Sequence, residues 1–331
     1  MVDKANTTCC AEIAVVKHRV ANATPATVNP VPRAAIASSD MNALKELVRG
    51  TRAKEHPVCR AELPTAVSRR EYPRVRLSDG IVRDLPHRIG NVSTVFLTAE
   101  WRWLAMLNYR VSPDVLAPLV PRGTALDLWQ ETAFVSVVGF LFERIRVLGV
   151  PLLTHRRFEE VNLRFYVVRE VNGERRHGVT FIRELVPRRL VATAASLTYN
   201  EPYRTLPIFH SLDIGDARET KRASYEWRDG PRYAAVRIEV DGHGQRLREG
   251  TIEDFLTHRE WGYTRQRDGS TVEYRVDHPR WTVFPSIEAQ CAGPALATSF
   301  GQDFADVLSR GPHSAWLSDG SPVVVHRPVH V

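Results

Sequence analysis

Glu160, Asn162, Arg164 and Tyr166 occupy every second position of the run FEEVNLRFYV, residues 158–167. In an extended chain successive side chains point to opposite faces, so these four share one face and Glu159, Val161, Leu163, Phe165 and Val167 share the other. The second face is mainly apolar and suits a core. The first either meets solvent or lines a polar cavity, and the sequence leaves both readings open. Arg183, Glu184 and Arg188 follow within the next stretch. Charges are seldom buried unless they are paired or used. The planar fork of Arg188 suits a carboxylate, enolate or phosphate, while Glu160 or Glu184 would orient that guanidinium or move a proton. The plainer alternative is an inward ion-pair network that only closes the fold.

Further along, Tyr199 and Tyr203 flank Asn200-Glu201-Pro202, which reads first as a helix stop, with the tyrosines at the rim of any pocket. His278 and Trp281 lie together in DHPRW, where the histidine could act as an acid or base or be structural. The twelve histidines show no H-x-H or H-E-x-x-H spacing, so no metal is expected. Neither G-x-S-x-G nor a glycine-rich phosphate loop occurs, and no cofactor is expected.

Local patterns say which elements carry these residues. Asn172-Gly173 favours a two-residue type I′ turn between strands at Glu160–Arg169 and Gly178–Leu185. Pro187 opens a helix-like run, RRLVATAASL, and Thr251 opens a short helix to about His258. Ser112-Pro113-Asp114 marks another helix start. Alternation predicts strands over 93–111, 126–130, 133–147, 219–227, 232–241, 281–290 and 322–327, and a hairpin over 261–277 that turns at Asp268-Gly269. About ten strands against three or four short helices, with no repeated βαβ unit, predict a β-rich α+β fold. The sheet is mostly antiparallel, curled into a barrel or paired sheets.

Composition narrows the function. Of the net charge of +7, residues 1–90 carry +6, with 15 Lys and Arg against 9 Asp and Glu. The rest is nearly neutral, which speaks against a nucleic-acid-binding face. The four cysteines, Cys9, Cys10, Cys59 and Cys291, form no CxxC pair, and a reducing cytoplasm is expected. The longest apolar run, Ala133–Phe142, is too short to span a bilayer as a helix, so a soluble protein away from membranes is expected. Residues 1–88, with one aromatic, are expected to be a disordered extension, and 89–331 a single β-rich domain. The body holds one lysine, Lys221, in a polar run that reads as exposed.

Read in order, FEEVNLRFYV, GVTFIREL, VPRRL, YNEPY, EDFLTHREWGY and DHPRW resemble the YqjF-type family of uncharacterised bacterial proteins, which is similar to the acetoacetate-decarboxylase-like superfamily. The resemblance implies a cone-shaped antiparallel barrel with flanking sheets and a small internal cavity. In the decarboxylases a lysine pair follows the proline and one lysine forms a Schiff base; here the pair is Arg188 and Arg189. A guanidinium does not give up its proton in proteins, so it cannot form an imine. The expectation is a pocket for a small anionic or carbonyl-bearing molecule, serving a lyase or isomerase without a Schiff base. The alternative is a non-catalytic binding or interaction protein on the same fold, with a homo-oligomer open in either case.

Overall fold

A computed structural model describes residues 95–151, 157–187, 200–215 and 219–331, all within one compact unit. In chain order the described strands are β1 Val95–Val111, β2 Ala125–Leu126, β3 Ala133–Val147, β4 Val150–Pro151, β5 Arg157–Val171, β6 Glu174–Val186, β7 Tyr203–Thr205 and β8 Ile208–Asp213. Then come β9 Lys221–Asp229, β10 Arg232–Val240, β11 Gln245–Arg246, β12 Trp261–Arg265, β13 Thr271–Asp277, β14 Thr282–Ala292, β15 Ser314–His326 and β16 Val329–His330. Four short helices join them: α1 Pro113–Leu116, α2 Ile252–Thr257, α3 Leu296–Phe300 and α4 Gln302–Leu308.

The order β13-β12-β6-β5-β3-β1-β15 closes on itself, because β15 pairs back to β13 through Val276↔Val325 and Asp277↔Val324. Seven strands therefore form a barrel. From β15 the sheet continues through β14, β10, β9 and β8, which fold over the outside of the barrel as a second layer. The predicted cone-shaped barrel with flanking sheets is the observed architecture. Among the described residues no helix is long and apolar enough to cross a membrane.

Strand parity sorts the side chains into two cores. The row Met106↔Val138↔Asn162↔Glu184 points inward, and the adjacent row Leu107↔Val137↔Leu163↔Arg183 points outward. Leu107, Val137 and Leu163 are fully buried against Tyr225, Trp227 and Val236 of the second layer, so the outer core joins barrel to sheet. Gly139 makes that contact possible, since a Cβ there would come within 2.6 Å of the Tyr225 ring. The Tyr225 hydroxyl donates to the carbonyl of Trp103 at 2.7 Å, where β1 bulges with a positive φ. Leu104, Met106, Phe140, Tyr166 and Trp281 make the inner core.

The local signals translate directly. Val171 pairs with Glu174 across Asn172 (φ 53°) and Gly173 (φ 81°), the two left-handed residues of a type I′ turn. Thr251 caps α2 by accepting from the Asp254 amide at 3.3 Å. Pro113 opens α1, although the Ser112 side chain makes no capping bond. The strand expected over 126–130 shrinks to two residues, and α3 and α4 were not expected. The helix expected after Pro187 and the extension over 1–88 lie outside the described residues.

Lys221 corrects the sequence reading. It begins β9 and is 4% exposed, on the same inward parity as Ala223, Tyr225 and Trp227. Its ammonium lies 5.6 Å from the centre of the Phe284 ring and 3.5 Å from the Glu219 carbonyl. The surrounding polar residues suggested exposure, but the strand's period of two sets the side chain inward.

Candidate functional site

Every strand of the barrel contributes to one internal cavity of about 140 Å³. A cavity near 150 Å³ is large enough for a molecule of about six heavy atoms. Trp101, Phe140, Phe142, Phe181 and Trp281 give it an aromatic wall, against which Glu160, Glu184 and Glu201 are set.

Glu160 and Asn162 arrive on β5 and Glu184 on β6, directly opposite Asn162. The Asn162 amide donates to one Glu160 oxygen at 3.0 Å, while Glu160 Oε2, Glu184 Oε2 and Asn162 Oδ1 are buried without a partner. Glu201 precedes β7, which runs parallel to β6. It accepts from Thr264 Oγ1 at 2.5 Å and from the Tyr274 hydroxyl at 2.7 Å. Gly262 is glycine because a Cβ there would run into the Tyr274 ring.

Three carboxyl groups in one apolar chamber do not all ionise. Burial pushes Glu160 up to about 8, with Glu201 adding and Asn162 and Arg164 opposing. Burial, then the charges of Glu201 and Glu160, holds Glu184 well above the usual carboxylate range. Burial raises Glu201 to about 7 against the hydrogen bonds from Thr264 and Tyr274. Burial and mutual repulsion therefore favour the protonated form in all three.

The other end of the chamber is basic. Arg164 donates to the Leu256 carbonyl at 3.2 Å and leaves Nε unpartnered. Arg259, just after α2, gives Nη1 to Asp127 Oδ2 at 2.5 Å and leaves Nε and Nη2 unpartnered. The Arg259 guanidinium lies 3.9 Å from the Phe255 ring centre and 5.2 Å from that of Tyr166. Burial pushes Asp127 up, but the His177 hydrogen bond and the Arg259 and His177 charges outweigh it and the net direction is down. His278 stacks on Trp281 at 4.8 Å and gives its Nδ1 proton to the Pro279 carbonyl. Burial, reinforced by His258 and Arg164, lowers it to about 4, so it is neutral at pH 7.

Of the residues singled out in the sequence, Glu160, Asn162, Arg164, Glu184, Tyr203, His278 and Trp281 line this cavity. Tyr166 stands just behind it, its hydroxyl 2.5 Å from Ser136 Oγ. Arg183 does not join them: its row faces out of the barrel. Arg188 and Tyr199 lie outside the described residues. Sequence reading missed Glu201, taken as part of a helix stop, together with Arg259 and its partner Asp127. No lysine lines the cavity among the described residues.

Residues 98–322 match DUF2071, a family described as an uncharacterised conserved protein. The chain belongs to that family. A curated relative is the uncharacterised protein YqjF of Bacillus subtilis (strain 168), 24% identical over 209 residues that cover 61% of this chain and 80% of the relative. Among solved structures, the enduracididine biosynthesis enzyme MppR with HEPES buffer bound is similar with a TM-score of 0.54 at 14% identity, covering 72% of this chain and 89% of that one. The same enzyme complexed with pyruvate gives 0.52 at 12% identity, covering 72% and 91%. Acetoacetate decarboxylase from Legionella pneumophila gives 0.51 at 10% identity, covering 76% and 93%. At such identities the likeness is one of fold, the acetoacetate-decarboxylase-like fold.

Proposed function

We propose that the barrel cavity binds a small carbonyl-bearing molecule and that its carboxyl groups move protons at the carbon beside the carbonyl, an isomerase- or lyase-type reaction without an imine. One observation carries this: Glu160, Glu184 and Glu201 are buried together in one chamber, which raises all three above the usual carboxylate range. A general acid or base works best when its pKa lies near the working pH. Ionised Glu201 would remove the proton, and Glu160 would return it. The free N–H groups of Arg164 and Arg259 would stabilise the developing enolate oxygen in a water-poor space. Arg188 keeps its proposed role of holding the ligand's negative charge without a covalent bond. That a protein of similar fold is complexed with pyruvate supports a ligand of this size.

The test is solvent deuterium exchange. Pyruvate is incubated with the full chain in D₂O and its methyl protons are followed by NMR. Exchange above the protein-free rate is expected, and its loss in Glu160→Gln and Glu201→Gln. Pyruvate that is bound, by saturation-transfer NMR, yet exchanges at the protein-free rate would refute the chemistry and leave a binding protein.

A further inference from the structure

The geometry points to a ligand that also carries a positively charged nitrogen, held by Glu160, Glu184 and Glu201, with its carbonyl or carboxylate toward Arg164 and Arg259. This rests on the reading above that the cavity takes a small carbonyl compound, and adds a requirement to it.

The chamber is bipolar along the strands. Glu160 and Arg164 are on the same face of β5, four positions apart, which at about 3.3 Å per residue separates their backbones by roughly 13 Å. Across the sheet Glu184 stands opposite Asn162 and pairs in turn with Tyr203, which places it at the Glu160 end. The charges of Glu160 and Glu184 are felt by Tyr203, while that of Arg164 is felt by His278 and Arg259 and reaches Glu160 as well. One end is therefore acidic and the other basic.

At the acidic end three carboxyls face one another, with Tyr203, Tyr274, Thr264 and Asn162 as polar company. Arg259 is already balanced by Asp127. Glu160 and Glu184, 2% and 3% exposed, each aim an oxygen without a partner at the space, and Asn162 Oδ1, also unpartnered, can only accept. Once ionised, the carboxyls too can only accept, and such an array suits N–H donors. The carboxyls do not converge as ligands of a metal: among the described residues no group of three or more His, Cys, Asp or Glu could hold one. An organic cation, larger than an ion and able to donate in several directions, matches the spread. Trp101, Phe142 and Phe181 line the same cavity, and the face of an aromatic ring attracts an ammonium or amidinium group.

Such a cation would restore the ionised form of a carboxyl that burial keeps protonated, so binding releases a proton. Arg164, His278 and His258 are the other titratable or charged groups that face the chamber or the residues lining it; His278 is already neutral.

An isosteric pair tests this. Aminoacetone and butanone differ by an ammonium in place of a methyl group, and pyruvate supplies an anion without nitrogen. Calorimetry of the full chain, in two buffers of different ionisation enthalpy at pH 7.5, gives affinity and proton release together. Aminoacetone is expected to bind at least about tenfold more tightly than butanone or pyruvate, the range of a charge-assisted hydrogen bond, and to release roughly one proton. Glu184→Gln and Glu160→Gln keep the side-chain shape. They should lose that preference and the proton release; unaltered preference in both variants would overturn the inference. Pyruvate or butanone binding as tightly as aminoacetone overturns it too, yet leaves the carbonyl reading standing. If none of the three binds, both readings fall.

Discussion

Replacing Glu160 by Gln should make this protein more stable in alkali and change little in acid. In the folded state burial raises the Glu160 carboxyl to about 8 from the 4.5 of an exposed glutamate. Below 4.5 the side chain is protonated in both folded and unfolded chains and costs nothing. Between 4.5 and 8 the unfolded chain ionises while the folded one holds its proton, so the unfolded state binds fewer protons. Stability therefore falls as pH rises, by about 1.4 kcal/mol per pH unit from this residue, and levels off above 8. Across that window the loss is on the order of 5 kcal/mol, a large part of a typical folding free energy. Glu184, raised by the same surroundings, pushes in the same direction. Glu160→Gln removes this share: its amide oxygen still accepts from Asn162, and its NH₂ takes the place of an oxygen that has no partner. Urea unfolding at pH 5, 7 and 9 is the assay. The variant should match wild type within about 1 kcal/mol at pH 5 and exceed it by about 3–5 kcal/mol at pH 9. A wild-type stability that is flat from pH 6 to 9, or a variant weaker than wild type at pH 9, would refute the buried-acid account.

Asp127→Asn should destabilise by about 3–5 kcal/mol in thermal or urea unfolding, because it strands the buried guanidinium of Arg259; adding Arg259→Met should recover part of the loss, and a cost below about 1 kcal/mol would show that the pair is not holding the cavity wall. Pyruvate followed by borohydride should leave every peptide from residues 95–331 unmodified in mass, since no lysine lines the cavity among the described residues; an adduct on Lys221 would mean that this side chain leaves its place beside Phe284 and reaches the ligand.

What could be read from the sequence was local. The Asn172-Gly173 turn and the alternation of Glu160, Asn162, Arg164 and Tyr166 are properties of adjacent residues, and both survive in the fold because turn chemistry and pleat act at that range. Glu201 was legible only as punctuation, for it owes its burial to Thr264 and Tyr274, partners 63 and 73 positions away. Asp127 and Arg259 meet across 132 positions, and neither has a neighbour in sequence that announces the other. Arg183 was misassigned to the site for a different reason: a register shift between Leu163 and Arg164 in the β5–β6 ladder makes parity counted from the hairpin unreliable beyond it. Lys221 could have been placed, since counting back in twos from Trp227 and Tyr225 reaches it.

The ring of seven strands is completed by two backbone pairs between β13 and β15, backed by the Asp277–His326 contact at 2.7 Å. Glu160 and Glu184 sit on a hairpin whose strands are adjacent in the chain, yet the barrel closes only where Val325 pairs with Val276. The hairpin is thus a local structure and the closed cavity a long-range one. A lesion confined to that short seam would leave most of the sheet intact while unsealing the room it was built to enclose.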